Sequence, residues 1–327
     1  MQQLPFERIK REIFIKRKAK TDAKFGSAPE KRSVEELIGF GVVNINKPKG
    51  PTSHQVSSYV QKILGLKKSG HSGTLDPKVT GVLPVALGRA TRIVQALLPA
   101  GKEYVVIMHL HKEADEDNIR KACSRFVGKI KQMPPIKSAI KREWRYRKIY
   151  YLDIIEIDGK DVLFRVGCQA GTYIRKLVHD IGQELKVGAH MAELIRTKAG
   201  PFSDNDMHTM QDLTDAYWYY RNDANERFIR QVVRPIEFAV SHMPKVWILD
   251  STVNSVCHGS DVKIPGVASV ESDIQEGEQI AVMTLKDELV ATGTAKMISR
   301  DIIKKEKGIA VKVSKVFMKH DAYPKMA

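Results

Sequence analysis

The sequence predicts an α+β fold in which a mixed-sheet domain is followed by a small β-barrel-like domain. Between residues 41 and 244, short β-branched runs are mixed with segments of helical periodicity, without the regular strand–helix alternation of a parallel α/β sheet. After Pro244 the chain changes to short strand-like runs separated by Gly, Asp and Asn, which is typical of a small barrel. At 327 residues the chain is long enough for two domains. We therefore predict domains at residues 41–244 and 245–327, preceded by an extension at residues 1–40.

The extension is basic but also carries large apolar side chains, such as Phe6, Ile13 and Phe14. A disordered tail rarely holds so many of them, so we expect part of the extension to pack on the body of the protein. The whole chain has 54 Lys and Arg residues against 38 Asp and Glu residues, which gives a formal net charge of +16. A surplus of this size favours a polyanionic partner such as nucleic acid, although a solvated basic surface is the alternative interpretation.

In the first domain, residues 41–47 form a β-branched run stopped by Pro48 and Gly50, which predicts a strand entering a loop. Residues 53–64 place apolar side chains at helical spacing after Thr52 or Ser53, either of which can cap a helix. The further predicted elements are a helix over 91–98, a strand over 102–111, a helix over 113–130, strands over 150–157 and 161–168 with a turn at Asp158-Gly159, and a helix over 172–185.

Several classes of protein are excluded by the sequence. Cys123, Cys168 and Cys257 are far apart and form no CxxC pair, so neither a disulfide framework nor a zinc site is indicated. The N-terminal stretch lacks the continuous apolar core of a secretory signal, and no run of about 18 apolar residues suggests a membrane span. We expect a soluble, cytoplasmic protein with no membrane partner.

The segment at residues 70–77, Gly-His-Ser-Gly-Thr-Leu-Asp-Pro, is the most informative in the chain. Asp76 follows two glycines and precedes Pro77, and such residues fix the backbone of a loop. An exposed carboxylate on a fixed loop suits a nucleophile or an acid–base group. The segment alone fits equally well a turn in which Asp76 only caps the backbone ahead of Pro77.

Four ordered motifs resemble the TruB branch of pseudouridine synthases. They are NKPKGPTSHQV at residues 46–56, GTLDP at 73–77, KEYVV at 102–106 and AGTYIRKL at 170–177. The order and spacing agree across about residues 41–201, and the β-rich region at about 245–319 resembles a PUA domain, a small RNA-binding module. PPIKSAIKREWRYRKIYYLDI, at residues 134–154, is similar to the dyskerin-like members of archaea and eukaryotes. The chain is most similar to the archaeal dyskerin homologues, the catalytic subunits of box H/ACA ribonucleoproteins.

The resemblance implies an enzyme that isomerises uridine to pseudouridine in RNA, with Asp76 as the catalytic nucleophile and with no cofactor or metal. A carboxylate can act by adding to C6 of the base, or by attacking or deprotonating the ribose, and the sequence does not choose among these routes. Tyr104 would stack on the flipped base. Arg175 would pair with Asp76, and Tyr173 would line the same pocket. Without the resemblance, Tyr104 would be interpreted as a strand residue and Arg175 as part of an ordinary helix start.

Other residues would support this pocket or hold RNA. Lys47 would support the pocket floor, and His71 would either approach the flipped nucleotide or fold its loop. A basic cluster interleaved with Trp144 and Tyr146 suits an RNA backbone, although a solvated strand edge is the alternative interpretation. The basic residues of this cluster are Lys141, Arg142, Arg145, Arg147 and Lys148.

The resemblance also implies partners. A box H/ACA guide RNA would direct the enzyme to ribosomal RNA, and the PUA domain would hold the ACA end of the guide. Three small partner proteins would join them, one of which binds a kink-turn in the guide, and the N-terminal extension would wrap the PUA domain. The alternative is a stand-alone enzyme for a uridine in the TΨC loop of tRNA. A non-catalytic RNA-binding scaffold is a third interpretation, against which the presence of Asp76, Tyr104 and Arg175 argues.

Overall fold

A computed structural model describes residues 2–134 and 141–325 and contains two β-sheets. Residues 135–140, which belong to the motif that begins at Pro134, lie outside the described residues. Within the described part of the chain, no helix is both long and apolar enough to cross a membrane. Cys123, Cys168 and Cys257 are free and buried.

The strands and helices account for most of the described chain. The strands are β1 (Ile13–Ile15), β2 (Gly41–Lys47), β3 (Ser69–His71), β4 (Thr80–Leu87), β5 (Lys102–Leu110), β6 (Gly128–Gln132), β7 (Arg145–Asp158), β8 (Asp161–Cys168), β9 (Ala189–Ala199), β10 (Phe202–Ser203), β11 (Val233–Pro235), β12 (Lys245–Ile248), β13 (Val262–Lys263), β14 (Val267–Glu271), β15 (Gln279–Met283), β16 (Leu289–Ala295) and β17 (Ile309–Val316). The α-helices are α1 (Val34–Phe40), α2 (Ser53–Ile63), α3 (Val94–Leu97), α4 (Glu116–Arg125), α5 (Ile174–Glu184), α6 (Met210–Asp223), α7 (Glu226–Val232), α8 (Asp250–Cys257) and α9 (Ser299–Lys304).

The larger sheet is mixed, and its order explains how distant motifs meet. Its strands run in the order β11-β2-β4-β9-β5-β8-β7-β6, with β3 paired to β4 and β10 to β9. Strand β9 pairs in parallel with β4 and antiparallel with β5. The strand that follows the Asp76 loop and the strand that carries Tyr104 are therefore joined by β9. Strands mixed with helices in this way confirm the predicted α+β class.

Helix α2 forms as its sequence predicts. Thr52 is the N-cap. Its hydroxyl accepts a hydrogen bond from the backbone N–H of Gln55, and the side-chain oxygen of Gln55 accepts one from the backbone N–H of Thr52. This reciprocal pair satisfies two amide groups that the first turn leaves without partners. Val56 and Val60 are fully buried against the larger sheet. The apolar spacing and the cap together fix where helix α2 begins.

The helix predicted over residues 113–130 is wrong in its second half. Helix α4 ends at Arg125, and Gly128, with a φ of 109°, begins strand β6. A positive φ of this size favours glycine and interrupts a helix. Strand β7 also begins earlier than predicted, at Arg145, and pairs antiparallel with β6. The basic and aromatic residues from Arg145 onward therefore lie on a strand rather than on a loop.

The smaller sheet has the order β1-β14-β12-β15-β16-β17-β13 and contains the strand-rich region that the sequence predicts after Pro244. Helices α8 and α9, which were not predicted, pack against it. Strand β1 of the extension pairs antiparallel with β14, with Phe14 opposite Val270. Lys16 Nζ donates to the carbonyl oxygens of Ile303 and Lys305 at the end of α9, at 2.9 and 2.7 Å.

The two sheets share a core. Phe40 and Ile93 from the first sheet's side are buried with Met283 and Phe317 from the second. Helix α1, at the end of the extension, is instead buried in the core of the first sheet. Residues before position 41 thus contact both sheets.

Candidate active site

The loop that carries Asp76 is fixed by the start of helix α2. The buried Ser53 hydroxyl accepts a hydrogen bond from the backbone N–H of Leu75 at 2.8 Å and donates one to the Leu75 carbonyl at 3.2 Å. The backbone N–H of Val79 donates to the Asp76 carbonyl at 2.9 Å, which closes a turn directly after the carboxylate. The Asp76 side chain itself is 55% exposed. A carboxylate is therefore presented to solvent from a backbone that cannot easily move.

Lys47 lies beneath this loop. Its side chain is fully buried, and Nζ donates to the carbonyl oxygens of Pro48, Pro77 and Val79 at 2.9, 3.2 and 2.8 Å. Burial lowers the pKa of Lys47, while the nearby Asp76 carboxylate acts in the opposite direction. The ammonium group therefore joins the end of β2 to the turn after Asp76, which is a supporting arrangement.

Arg175 meets Asp76 from the opposite side. It lies in the first turn of α5, and its Nη2 is 2.5 Å from Asp76 Oδ2. Both side chains are more than half exposed, at 61% and 55%. An ion pair this open contributes little to folding stability, typically ~0–1 kcal/mol. Its main consequence is that the carboxylate is held in one orientation.

Tyr173 is the N-cap of α5 and is half-buried. Its backbone is held by the buried Gln132, whose side-chain oxygen accepts from the Tyr173 N–H at 3.0 Å and whose amide donates to the Tyr173 carbonyl at 3.2 Å. Gln132 ends strand β6, so the edge of the larger sheet sets the position of α5. The helix start and its Arg175 are therefore positioned by residues outside the helix.

Tyr104 lies in β5, directly opposite Arg196 of β9. Burial raises the pKa of the Tyr104 hydroxyl, and the charge of Arg196 and a hydrogen bond with it work in the opposite direction. Arg196 was not predicted from the sequence. Nothing in its local sequence, Ile-Arg-Thr, marks it, because only the pairing of β5 with β9 places it beside the site. The residue before Tyr104 in the KEY motif, Glu103, points to the opposite face of the sheet.

His71 ends strand β3 and is half-buried near the loop. Burial lowers its pKa, and the positive charges of His54 and Arg196 lower it further, while a hydrogen bond at the Gly73 backbone acts in the opposite direction. Its Nδ1 is buried without a hydrogen-bond partner in the described part of the chain. His71 is therefore a neutral side chain at neutral pH.

The basic cluster lies along one edge of the larger sheet. Trp144 and Tyr146 are more than half exposed, and Lys131 Nζ and Lys129 Nζ lie 4.9 and 4.1 Å from the centres of their rings. Arg147 Nε donates to the Gly171 carbonyl at 3.1 Å, which links this strand to the loop before α5. The cluster is therefore bonded to the loop that leads into the helix carrying Arg175.

The remaining predicted members of the cluster are spread along the same edge. Lys141 is paired with Glu143, and Arg142 Nε donates to the Pro134 carbonyl at 3.4 Å. Arg145 is half-buried, and Lys148 is exposed. These side chains are not gathered into one pocket, so the structure shows a basic strand edge rather than a closed binding site.

The groups at the site that are exposed to a substrate include the Asp76 carboxylate and the Arg175 guanidinium. Across residues 2–134 and 141–325, no group of three or more His, Cys, Asp or Glu side chains is arranged to hold a metal ion.

Comparison with known families gives four matches along the chain. Residues 61–174 match the N-terminal domain of the TruB family pseudouridylate synthases, and residues 175–241 match the tRNA pseudouridylate synthase B C-terminal domain. Residues 244–317 match the PUA domain, and residues 2–57 match the DKCLD (NUC011) domain.

Curated relatives match almost the whole chain. A probable tRNA pseudouridine synthase B of Thermococcus onnurineus is 57% identical over 97% of this chain and 96% of its own length. The corresponding protein of Pyrococcus furiosus is 55% identical over 97% and 94%.

Two solved structures are similar over 99% of both chains. One is a Cbf5–Nop10–Gar1 complex, with a TM-score of 0.95 and 55% identity. The other is an H/ACA ribonucleoprotein bound to a substrate RNA containing 2′-deoxyuridine, with a TM-score of 0.93 and 53% identity.

Proposed function

Because the chain belongs to the TruB family of pseudouridylate synthases, we propose that Asp76 is the catalytic group with which it converts uridine to pseudouridine in RNA. The observation that carries this proposal is the geometry of the Asp76 carboxylate. It is exposed to a substrate, oriented by Arg175 at 2.5 Å, and carried on a loop tied down by the buried Ser53 and Lys47. Exposure of the reacting group on a fixed backbone is what covalent or acid–base catalysis requires.

The reaction is an isomerisation that needs no redox partner or group donor. The N1–C1′ bond breaks, the base turns, and a C5–C1′ bond forms. The hydrogen at C5 leaves to solvent as a proton, and N1 takes up a proton, so the atoms and electrons balance within the nucleotide. The Asp76 carboxylate acts as the nucleophile, either at C6 of the base or at the ribose. The bond that it forms to the substrate breaks again before the product leaves, which regenerates the carboxylate.

The neighbouring side chains take roles that follow from their positions. The target uridine must leave its helix or loop to reach Asp76. Tyr104 offers the aromatic face for the flipped base, and Tyr173 lines the same pocket beside Arg175. Lys47 supports the pocket floor through its three carbonyl contacts. His71, which is neutral, helps to fold the loop on which Asp76 lies.

We propose that the basic strand edge holds the RNA backbone, with Trp144 and Tyr146 as stacking platforms. The residues of this surface are Lys141, Arg142, Arg145, Arg147 and Lys148. Its link to the site through Arg147 and Gly171 lets bound RNA approach Asp76. We also propose a synthase domain at residues 41–244 and a PUA domain at 245–327, preceded by an extension at residues 1–40 whose strand β1 packs on the PUA domain.

The setting proposed for the enzyme is a box H/ACA ribonucleoprotein acting on ribosomal RNA in the cytoplasm. Support comes from the similar chains solved in an H/ACA ribonucleoprotein and in complexes with Nop10 and Gar1. The partners are then a guide RNA and small proteins, including a kink-turn-binding protein. The second candidate is stand-alone modification of a tRNA uridine, which is favoured by the name shared by the curated relatives, probable tRNA pseudouridine synthase B.

Tritium release from RNA labelled at C5 of uridine tests the chemistry directly. Wild-type protein should release tritium, and Asp76→Asn should release none while keeping its affinity for the RNA, because it removes the nucleophile without changing shape. Asp161→Asn, an exposed carboxylate at the start of β8, is the matched control and should behave as wild type. Product formation by Asp76→Asn would remove the catalytic assignment.

The same assay separates the two settings. Release that depends on a box H/ACA guide and its partner proteins supports the ribonucleoprotein. Equal release from a tRNA transcript without any guide supports the stand-alone enzyme.

A further inference from the structure

Arg196 is a buried cation with an unusual environment. Its side chain is 1% exposed, and it is the largest fully buried side chain in the described part of the protein. Within the described ranges, its guanidinium donates to backbone carbonyls rather than to an Asp or Glu carboxylate. Arg32, the other buried arginine of the described chain, is instead paired with Glu237 through two bonds of 2.8 Å. Burying a charge without a counter-ion is costly, so stability alone does not explain Arg196.

The guanidinium of Arg196 joins two parts of the site. Nε donates to the Val82 carbonyl of β4 at 2.7 Å, and Nη2 donates to the Gly73 carbonyl at 3.3 Å. Gly73 is three residues before Asp76 on the same loop. Arg196 therefore ties the residues before Asp76 to strand β4, whereas Lys47 bonds the residues after Asp76.

The pairing of β5 with β9 turns Arg196 toward Tyr104. Tyr104 lies opposite Arg196, whereas the preceding Glu103 lies opposite Lys198, so Thr197 is an extra residue in β9. An extra residue of this kind is a β-bulge, which re-aims the side chains next to it. Here it places the Arg196 and Tyr104 side chains on one face of the sheet, as direct neighbours across the strand pair.

A buried network fixes this bulge. The Thr197 hydroxyl donates to Glu103 Oε1 at 2.8 Å, and the Tyr151 hydroxyl donates to Glu103 Oε2 at 2.5 Å. All three side chains are buried, at 8%, 4% and 1% exposure. Tyr151 reaches Glu103 by crossing over Gly167, the residue that pairs with both. The position of Arg196 is thus set by groups on the far face of the same sheet.

We propose that Arg196 is a positioning residue of the synthase reaction, which couples the orientation of Tyr104 to the placement of the Asp76 loop. This inference rests on the proposed function of Asp76 and Tyr104. Arg196 has no access to bulk solvent, and it acts through two groups that reach the substrate. Its loss should therefore affect turnover much more than RNA binding.

Two substitutions and one matched control test this role. Arg196→Met keeps the volume and removes both bonds, and it should lower kcat about 100-fold, the effect of misplacing reacting groups by about 1 Å. The Kd for RNA should change less than about threefold. Arg196→Lys keeps the charge with a single donor group and should recover part of the loss. Arg32→Met removes a buried arginine in the core shared by the two sheets and should leave kcat unchanged.

A double-mutant cycle identifies the route of the effect. If Arg196 acts through the Tyr104 hydroxyl, Arg196→Met should lower kcat by a much smaller factor in a Tyr104→Phe background than in the wild type. If the decrease in kcat of the double variant equals the product of the two single decreases, Arg196 and the Tyr104 hydroxyl are not coupled. An unchanged kcat in Arg196→Met, or an equal loss in Arg32→Met, would overturn the proposal as a whole.

A measurement that does not depend on catalytic activity tests this inference separately from the proposed function. Hydrogen exchange of a peptide spanning residues 70–77 should be faster in Arg196→Met than in wild type, and unchanged in Arg32→Met. Unchanged exchange in Arg196→Met contradicts the anchoring of the loop even if no RNA substrate has been found. If the wild type converts no RNA, the proposed function fails, and the exchange result alone decides whether Arg196 holds the loop. If Arg196→Met does not fold, Arg196→Lys provides the same measurements.

Discussion

Replacing Lys47 with Met should loosen the catalytic loop without touching the catalytic carboxylate. The substitution removes three hydrogen bonds from a buried ammonium group. The Pro77 carbonyl keeps a second donor, the backbone N–H of Gly50 at 2.9 Å, whereas the Val79 carbonyl loses its Nζ donor at 2.8 Å. A buried carbonyl left without a donor costs about 1–3 kcal/mol.

The net loss of stability is smaller than the sum of three such costs. Burial of the Lys47 ammonium is itself unfavourable, as its lowered pKa indicates, and Met relieves that penalty. We therefore expect a decrease in the free energy of unfolding of about 2 kcal/mol. Because the loop carries Asp76, kcat for tritium release should fall about 100-fold.

Thermal unfolding and tritium release together test this reasoning. Lys49→Met is the matched control for stability: Lys49 pairs with Glu193 at 3.2 Å, but both side chains are more than half exposed. An exposed pair contributes at most about 1 kcal/mol, so the control should unfold close to wild type. If Lys47→Met unfolds at the wild-type temperature and turns over normally, the three carbonyl contacts do not hold the loop, and this reasoning is refuted.

Three further outcomes follow from other parts of the structure. Gly167→Ala should lower the unfolding free energy by about 2 kcal/mol in denaturant titrations, because a Cβ there would lie 2.3 Å from the Tyr151 ring. Burial lowers the pKa of His242 to about 4 from 6.5, so the unfolded chain binds more protons between these pH values and stability falls as pH falls. The wild-type protein should therefore lose about 3 kcal/mol more unfolding free energy between pH 6.5 and 4 than the His242→Gln variant. Denaturant titrations at a series of pH values measure this difference, and the same pH dependence in both proteins would contradict the prediction. Trp144→Ala should weaken RNA binding about tenfold in filter-binding assays, whereas Trp218→Ala, an equally exposed tryptophan on α6, should not.

Local sequence signals predicted the parts of the fold that depend on local physics. Helix α2 follows from its Thr52 cap and its apolar spacing. The Asp76–Arg175 pair was instead implied by the family resemblance of the two motifs that carry these residues. The prediction of a helix through residue 130 was wrong because apolar spacing alone does not show that the helix must end before Gly128, whose φ is positive. Helices α8 and α9 were missed because the strand-like runs around them dominated the pattern.

The residues that the sequence could not reveal are those placed by long-range pairing. Arg196 lies beside Tyr104 because of a one-residue bulge in β9, a strand that was not predicted. A bulge depends on both strands and on the buried Glu103, so no window of one strand contains the information. The supporting contacts of Lys47 are similar, since two of its three acceptors come from a loop about thirty residues away along the chain.

The pairing of β1 with β14 has a consequence for the order in which the protein assembles. Phe14 emerges from the ribosome early, yet its partner Val270 is made only after the whole first sheet has been synthesised. Contacts between residues so far apart in sequence form late, because a long loop must close first. Until β1 arrives, the backbone edge of β14 is open to other chains. The protein is therefore most vulnerable to aggregation after synthesis of β14 and before β1 docks, and a chaperone that shields a sheet edge would act in that interval.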